Sequence, residues 1–144
     1  MSRVSTYLNF TNKTEEAFLF YQSVFGGEFV GGINRFKDIP PAEGMPPLAE
    51  EDKDLVMHIE LVILGDHHLM GTDAPASMGF KVVMGNNAHI NLEPDSRVEA
   101  DRLFQALSAG GVIQMPMQEM FWGAYYGSFA DKFGVQWMVN CAQK

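Results

Sequence analysis

The sequence predicts an α+β fold in which two βαβββ modules follow each other within a single domain over residues 1–144. Two observations support this prediction. A strand followed by a helix that ends in a Gly-Gly pair opens the chain, and the same pattern starts again after residue 87. Three strand-like segments follow each opening. We place the modules at about 1–75 and 87–144, with a connection at 76–86.

The two halves of the chain can be superposed on each other. YLNF at 7–10 lies over HINL at 89–92, which is an offset of 82. In both segments apolar and polar residues alternate, as in a strand that packs one face against a helix. Near the ends of the modules, Leu69 lies over Met138 at an offset of 69. An internal repeat of this length constrains the fold more than any single motif does.

Each element of the first module has a local signal in the sequence. The opening strand is expected at 4–11, and Asn12, with Glu15 three residues later, is the expected N-cap of the helix that follows. The proline-rich and acidic segment 38–53 is expected to form a loop, and the sequence leaves open whether it acts as a lid. The remaining strands of this module are predicted at 28–36, 55–64 and 67–72.

The second module repeats these signals. Its opening strand is predicted at 89–93, and Ser96 with Glu99 forms an S-x-x-E capping box that predicts a helix. The pair Gly110-Gly111 ends that helix. Three strands, which carry both tryptophans of the chain, are then predicted at about 112–121, 124–130 and 135–141.

Composition excludes several classes of function. The net charge is −8 and the Lys and Arg residues are scattered, so a nucleic-acid partner is not expected. No segment reaches the roughly 18 consecutive apolar residues that a membrane-spanning helix needs, so we expect no membrane partner. The single cysteine, Cys141, allows no internal disulfide and fits a reducing, cytoplasmic setting.

Three stretches resemble the PhnB-like branch of the vicinal oxygen chelate superfamily, which includes glyoxalases, bleomycin-resistance proteins and dioxygenases. They are YLNF…EEAFLFYQSVFGGEF, HINLEPDS…EADRLFQALSAGG and MPMQEMFWGAYYGSFADKFGVQWMVN. The resemblance implies a glyoxalase/bleomycin resistance/dihydroxybiphenyl dioxygenase-like fold, with a cupped mixed β-sheet, helices on its outer side and a pocket between the halves. It also implies a homodimer.

The resemblance further implies four positions for a divalent metal, one on the opening strand and one on the closing strand of each module. These positions fall near Tyr7, Leu69, His89 and Met138. Only His89 is a good ligand for such a metal, and one imidazole does not offset the lost hydration of the ion. We therefore expect no metal or other cofactor, and a divalent metal is the disfavoured alternative.

Candidate catalytic groups are His89, His58 and Glu60, although each can equally be a structural or solvated residue. His58 and Glu60 share one strand face, about 7 Å apart, where they could form an acid–base dyad. His67 and His68 should point to opposite faces and so should not share a metal. The residues expected to line a ligand pocket are Tyr7, Asn9, His89, Asn91, Phe121, Trp122, Tyr125, Trp137 and Met138.

Three functions are compatible with these patterns. The preferred one is a protein that binds a small, partly aromatic or apolar molecule without a metal, and the acidic balance favours a neutral or cationic ligand. The first alternative is a metal-dependent lyase or dioxygenase. The second is an interaction module whose pocket is filled by its own side chains. The sequence does not identify the ligand or decide whether a reaction is catalysed.

Overall fold

The computed structural model describes residues 2–40 and 48–142, and the chain divides into two compact units, one ending at Val82 and the other beginning at Val83. Across the described ranges, each unit contains one α-helix and one four-stranded mixed sheet. The predicted α+β fold of two tandem modules is confirmed. In the same ranges, no helix has the length and apolar character to cross a membrane.

The first unit follows the predicted order of strand, helix and three strands. Its sheet has the strand order β1-β4-β3-β2. The β1–β4 pair is parallel, whereas β3 pairs antiparallel with both β4 and β2. The elements are β1 (Thr6–Phe10), α1 (Thr14–Phe25), β2 (Asn34–Arg35), β3 (Val56–Val62) and β4 (His68–Asp73).

The predicted strand at 28–36 is wrong over most of its length, because only Asn34–Arg35 pair with β3. Gly31 and Gly32 both have a φ of 73°, a left-handed conformation that turns the chain instead of extending it. In the predicted loop at 38–53, residues 48–53 include a short 3₁₀ turn, Glu50–Asp52. Residues 41–47 of that loop lie outside the described ranges, so the structure does not bear on a lid.

The sequence predicted Asn12 as the N-cap of α1, and this prediction is wrong. The helix is capped instead by a residue from β4. Asn12 has a φ of 61°, and Lys13 occupies the N-cap position without a side-chain cap. The buried carboxylate of Asp73 instead accepts hydrogen bonds from the Thr14 amide (3.1 Å) and the Thr14 hydroxyl (2.8 Å). Its other oxygen accepts from the Val56 amide at 2.9 Å. Asp73 therefore ties the start of α1 to the start of β3.

The core of the first unit lies between α1 and one face of its sheet. Gly71 of β4 permits the close approach of the helix, since a Cβ at this position would lie 2.5 Å from the Phe18 ring. Burying each large apolar side chain contributes about 1.5–3 kcal/mol. The fully buried side chains of this core include Phe18, Tyr21, Ile59, Leu61 and Leu69.

The second unit has the same arrangement, with the strand order β5-β8-β7-β6 and a parallel β5–β8 pair. The capping prediction for its helix is confirmed at Ser96, whose hydroxyl accepts from the Glu99 amide at 3.2 Å. The Glu99 carboxylate pairs with Arg102 instead of completing the box. The elements are β5 (Ile90–Leu92), α2 (Arg97–Ser108), β6 (Val112–Glu119), β7 (Tyr125–Ala130) and β8 (Gln136–Cys141).

A buried carboxylate also organises the second unit. Asp131, in the β7–β8 turn, accepts from the Trp137 indole (2.9 Å) and from the amides of Phe133 (2.9 Å) and Val135 (3.0 Å). Trp137 is fully buried beside Phe129 on the face that packs against α2. The turn and the largest core side chain of this unit are thus fixed by one acidic residue.

The strand register corrects the repeat alignment near the ends of the modules. Leu8 pairs with Gly71 in the first unit, and Ile90 pairs with Trp137 in the second. When the opening strands are superposed with their offset of 82 residues, Gly71 lies over Trp137. The closing strands are therefore offset by 66 residues, and the predicted offset of 69 is wrong. The two offsets differ by three residues. Because side chains alternate between the faces of a strand, an error of an odd number of residues exchanges the two faces of the closing strand.

Candidate functional site

The first sheet packs one face against α1 and carries polar side chains on the other. Side chains alternate along each strand, so Tyr7 of β1, His58 and Glu60 of β3, and His68 of β4 share this second face. Met70 of β4 lies between Tyr7 and Glu60 in the pairing of the three strands. We refer to Tyr7, His58, Glu60 and His68 as the polar network.

The four side chains of the polar network contact each other in series. The Tyr7 hydroxyl lies 3.1 Å from His58 Nδ1, and His58 Nε2 lies 3.8 Å from Glu60 Oε1. The second oxygen of Glu60 is hydrogen-bonded to His68 Nδ1. The guanidinium of Arg3 lies 3.6 Å from the same Glu60 oxygen. A continuous path of hydrogen-bonding and ionic contacts therefore joins a phenol, two imidazoles and a carboxylate.

The structure brings His58 and Glu60 together, as their spacing predicts, but the imidazole closest to Glu60 belongs to His68. His67 lies on the opposite face, where its Nε2 is 2.8 Å from the Thr6 hydroxyl. The expectation that the two consecutive histidines point apart therefore agrees with the geometry. The sequence analysis considered His68 only as a metal ligand and missed its contact with Glu60, because this contact depends on how β4 pairs with β3.

Electrostatics fixes the charge of two members of the polar network. Burial raises the pKa of Glu60, but the hydrogen bond from His68 and the electrostatic interactions with His68, Arg3 and His58 outweigh burial, so the net pKa is depressed. The Glu60 side chain is only 12% exposed and is ionised at neutral pH. Burial raises the pKa of Tyr7, which keeps this phenol neutral. The network thus combines a fixed anion with a neutral hydroxyl.

In the second unit, two predicted site residues share the face that points away from α2. Asn91 of β5 pairs with Met138 of β8 on this face. Asn140 belongs to the same face, and its buried Oδ1 accepts no hydrogen bond from any described residue. Sequence reasoning missed Asn140. The sequence placed His89 in the opening strand of this module. In the structure it lies just before β5 and is exposed, so the sheet does not hold it.

The aromatic residues predicted to line a pocket lie elsewhere in the second unit. Trp137 is in the core on the side facing α2. Tyr125 also turns towards α2, where its hydroxyl donates to Asp101 at 2.7 Å. Phe121 and Trp122 lie in the β6–β7 turn, 97% and 57% exposed, with their rings 4.9 Å apart. Local sequence does not separate these three environments, because all four residues look alike as aromatic strand or turn residues.

In the first unit, the remaining predicted residue, Asn9, is exposed on the same face of β1 as Tyr7. This face is the one that carries the polar network. Tyr7 and Asn9 thus keep the placement that alternation predicts.

The residues at the four positions implied for a divalent metal do not fit one. Leu69 offers no donor atom and is fully buried on the side facing α1. The residue that lies opposite Tyr7 is Met70, and Met138 lies opposite Asn91. Thioethers are poor ligands for hard or borderline cations. In the described part of the chain, no three His, Cys, Asp or Glu side chains are grouped so that they could hold a metal. The expectation of a metal-free site stays a prediction.

Comparisons with known proteins extend over nearly the whole chain. Residues 3–139 match the Glyoxalase/Bleomycin resistance protein/Dioxygenase superfamily. The chain is 30% identical over 150 residues to Protein YjdN from Escherichia coli K12, covering 98% of this chain and 96% of that protein. The crystal structure of PA1353 from Pseudomonas aeruginosa is 37% identical, with a TM-score of 0.84 and full coverage of both chains. The PhnB protein from Bacillus cereus is 26% identical, with a TM-score of 0.75, and covers 98% of this chain and 100% of that one.

Proposed function

The chain belongs to the Glyoxalase/Bleomycin resistance protein/Dioxygenase superfamily, and from that premise we propose that it is a small-molecule-binding protein of the PhnB-like type. The ligand binds to the first-unit sheet face that carries the polar network. Binding requires no metal at the positions that the superfamily resemblance implies. The specific ligand is not assigned by this proposal.

The polar network is the observation that supports this proposal most directly. Small-molecule sites combine apolar surface with a few polar groups that fix the orientation of the ligand. Here Met70 and Val62 share the sheet face with Tyr7, Glu60 and the two imidazoles. A purely structural sheet face would not need four polar side chains joined in series, because solvent can satisfy exposed polar groups one by one.

The charge of the protein favours a neutral or cationic ligand. The net charge is −8, which repels anions at long range. Glu60 adds an ionised carboxylate at the site, whereas Tyr7 is neutral. A neutral aromatic molecule or an amine therefore approaches more easily than a phosphonate or a carboxylate.

We also propose that the protein is a homodimer, as the resemblance implies, and that it is cytoplasmic, as its single cysteine suggests. The exposed pair Phe121 and Trp122, and the exposed Val112 and Ile113 of the edge strand β6, supply apolar surface for a contact between two copies. Light scattering should give the mass of two chains. A mass of one chain at micromolar concentration would contradict the proposed dimer without affecting the proposed ligand site.

A thermal-shift screen tests the proposed binding function. EDTA-treated protein is mixed with a library of small neutral and cationic aromatic molecules, and every hit is repeated with Tyr7→Phe and with Glu93→Gln as a control. A ligand at 100 times its Kd stabilises the folded protein by about 2.7 kcal/mol. We expect hits whose shift is reduced in Tyr7→Phe and unchanged in Glu93→Gln. Hits that appear only after metal is added would instead favour a metal-dependent lyase or dioxygenase.

A further inference from the structure

Glu60 and His68 form the closest contact within the polar network. Glu60 belongs to β3 and His68 to β4, so the contact is held by the antiparallel pairing of the two strands, in which Val62 lies opposite His68. The side chains are 12% and 25% exposed. A carboxylate in contact with an imidazole orients the ring and decides which nitrogen carries the hydrogen.

The ionised state of Glu60 assigns the hydrogen of His68. An ionised carboxylate only accepts hydrogen bonds, so Nδ1 of His68 must be the donor. A neutral imidazole that carries its hydrogen on Nδ1 has a lone pair on Nε2. This tautomer presents Nε2 as a hydrogen-bond acceptor and as a base.

His68 Nε2 is the free end of the polar network. His58 contacts the network through both nitrogens: Nδ1 lies 3.1 Å from the Tyr7 hydroxyl, and Nε2 lies 3.8 Å from Glu60, which is too far for a hydrogen bond. Within residues 2–40 and 48–142, by contrast, His68 Nε2 has no hydrogen-bond partner. The network therefore ends at His68 Nε2, on a side chain that is 25% exposed.

We infer that His68 Nε2 binds the hydroxyl group of a weakly acidic, uncharged ligand of the phenol type, and that Glu60 is the positioning residue for this contact. The inference rests on the proposed function and specifies its ligand class. On binding, the O–H bond of the ligand breaks, its electron pair stays on the oxygen, and the proton moves to Nε2. The result is a phenolate–imidazolium pair, with the imidazolium in contact with the Glu60 carboxylate.

A phenol fits this acceptor better than other hydroxyl compounds. Aliphatic alcohols are too weakly acidic to give a proton to an imidazole, whereas an acid that is already ionised would meet the negative charge of the protein. Phenols are uncharged near neutral pH but can lose a proton to a base supported by a carboxylate. Met70, next to Glu60 across the strands, adds a polarizable side chain that favours aromatic contacts.

The test uses 4-nitrophenol, whose phenolate absorbs visible light, and 4-nitroanisole, its methyl ether, which has no proton to give. The buffer is mildly acidic, so that free 4-nitrophenol is mostly uncharged and its phenolate absorbance reports the bound form. Binding is measured for wild type, His68→Gln, Glu60→Gln and Glu60→Asp, with Glu93→Gln, an exposed residue outside the polar network, as the control. A charge-assisted hydrogen bond of about 1.5–3 kcal/mol predicts that His68→Gln weakens 4-nitrophenol binding tenfold or more and abolishes the bound phenolate absorbance. Glu60→Asp should restore part of what Glu60→Gln loses, and 4-nitroanisole should bind all variants equally weakly.

A second measurement uses only the wild-type protein, so its result does not depend on whether any variant folds. Nitrogen-15 spectra of histidine-labelled wild type should show His68 with its hydrogen on Nδ1. The opposite tautomer would overturn the inference. Equal binding of 4-nitrophenol by wild type and His68→Gln, or no binding at all, would also overturn it. In those cases the library screen with Tyr7→Phe still decides the proposed function independently.

Discussion

Tyr7 lies opposite Met70, and not opposite Leu69, in the parallel ladder that joins β1 to β4. This pairing removes Leu69 from the sheet face that carries the polar network and places a thioether at the implied metal position. It also brings Glu60 into the same row of side chains, because Met70 pairs with Glu60 on its other side. The polar chemistry of this sheet face therefore comes from β3 and from His68, next to Met70 in sequence, and not from the residue opposite Tyr7.

Replacing Asp73 with asparagine should destabilise the fold. The carboxylate is 3% exposed and accepts three hydrogen bonds from Thr14 and Val56, whereas the amide of asparagine offers only one oxygen. We expect the free energy of unfolding to fall by about 2–3 kcal/mol in urea denaturation. Asp66→Asn is the control, since Asp66 is exposed and its φ of 59° suits asparagine. Equal losses in the two variants would contradict the capping role of Asp73.

Replacing Gly71 with alanine should loosen the packing of α1 on the first sheet. The added Cβ would lie 2.5 Å from the ring of Phe18, which is fully buried and cannot move without disturbing the core. Overpacking of this kind costs about 1–3 kcal/mol, measurable as a lower Tm. Gly85→Ala is the matched control, because the nearest atom to its new Cβ lies at 3.5 Å. A Tm unchanged in both variants would show that α1 does not approach β4 so closely.

The contribution of Glu60 to stability should disappear in acid. Burial raises the pKa of this carboxyl, but the His68 hydrogen bond and the electrostatic interactions with His68, Arg3 and His58 depress it overall. A depressed pKa in the folded state gives stability above the ordinary glutamate value of about 4.3, and that stability is lost as the pH falls through the folded value. The Tm difference between wild type and Glu60→Gln should therefore shrink as the pH falls below the ordinary glutamate value of about 4.3 and through the lower folded value.

The exposed residue Glu93 provides the control for this pH dependence. Glu93→Gln also removes one negative charge, but from a site outside the polar network. Its Tm should follow wild type across the same range. If the Tm difference for Glu60→Gln stays constant down to pH 3, the ionised carboxylate does not stabilise the fold.

The two tryptophans should respond differently to a quencher in solution. Trp122 is 57% exposed, whereas Trp137 is fully buried and hydrogen-bonded to Asp131. Iodide should quench the fluorescence of Trp122 and leave that of Trp137 nearly unchanged. Trp122→Phe should therefore remove most of the quenchable signal and leave a blue-shifted emission. Strong quenching that persists in Trp122→Phe would place Trp137 outside the core.

Sequence patterns predicted the elements whose signals are local. The S-x-x-E motif located the start of α2 at Ser96, and alternation assigned Tyr7 and Asn9 to the face of β1 that points away from α1. The cap of α1 was missed because its acceptor, Asp73, lies 59 residues away from Thr14. Such a contact exists only once the strands have paired, so no local pattern reports it.

The sequence also predicted the local features of the candidate site and missed the contacts that form only when strands pair. The spacing of His58 and Glu60 along one strand is visible in the sequence and survives in the structure. The contact between Glu60 and His68 depends on the β3–β4 register. Alternation does not determine that register, because a shift of two residues leaves the same side chains on each face. Trp137 looked like a pocket residue because a buried and an exposed tryptophan have the same local signature; its partner Asp131 identifies it as core.

Metal content and metal-induced stabilisation of the purified protein test the central claim most directly, which is that the ligand face works without a metal. Elemental analysis is combined with Tm measurements in Zn²⁺, Ni²⁺, Mn²⁺ and Fe²⁺, for wild type, Tyr7→Phe and His89→Ala. We expect well under one equivalent of metal per chain and no rise in Tm with any of the ions. One equivalent of metal per chain, with a rise in Tm that Tyr7→Phe or His89→Ala abolishes, would contradict it. That result would establish a metal centre at the superfamily positions.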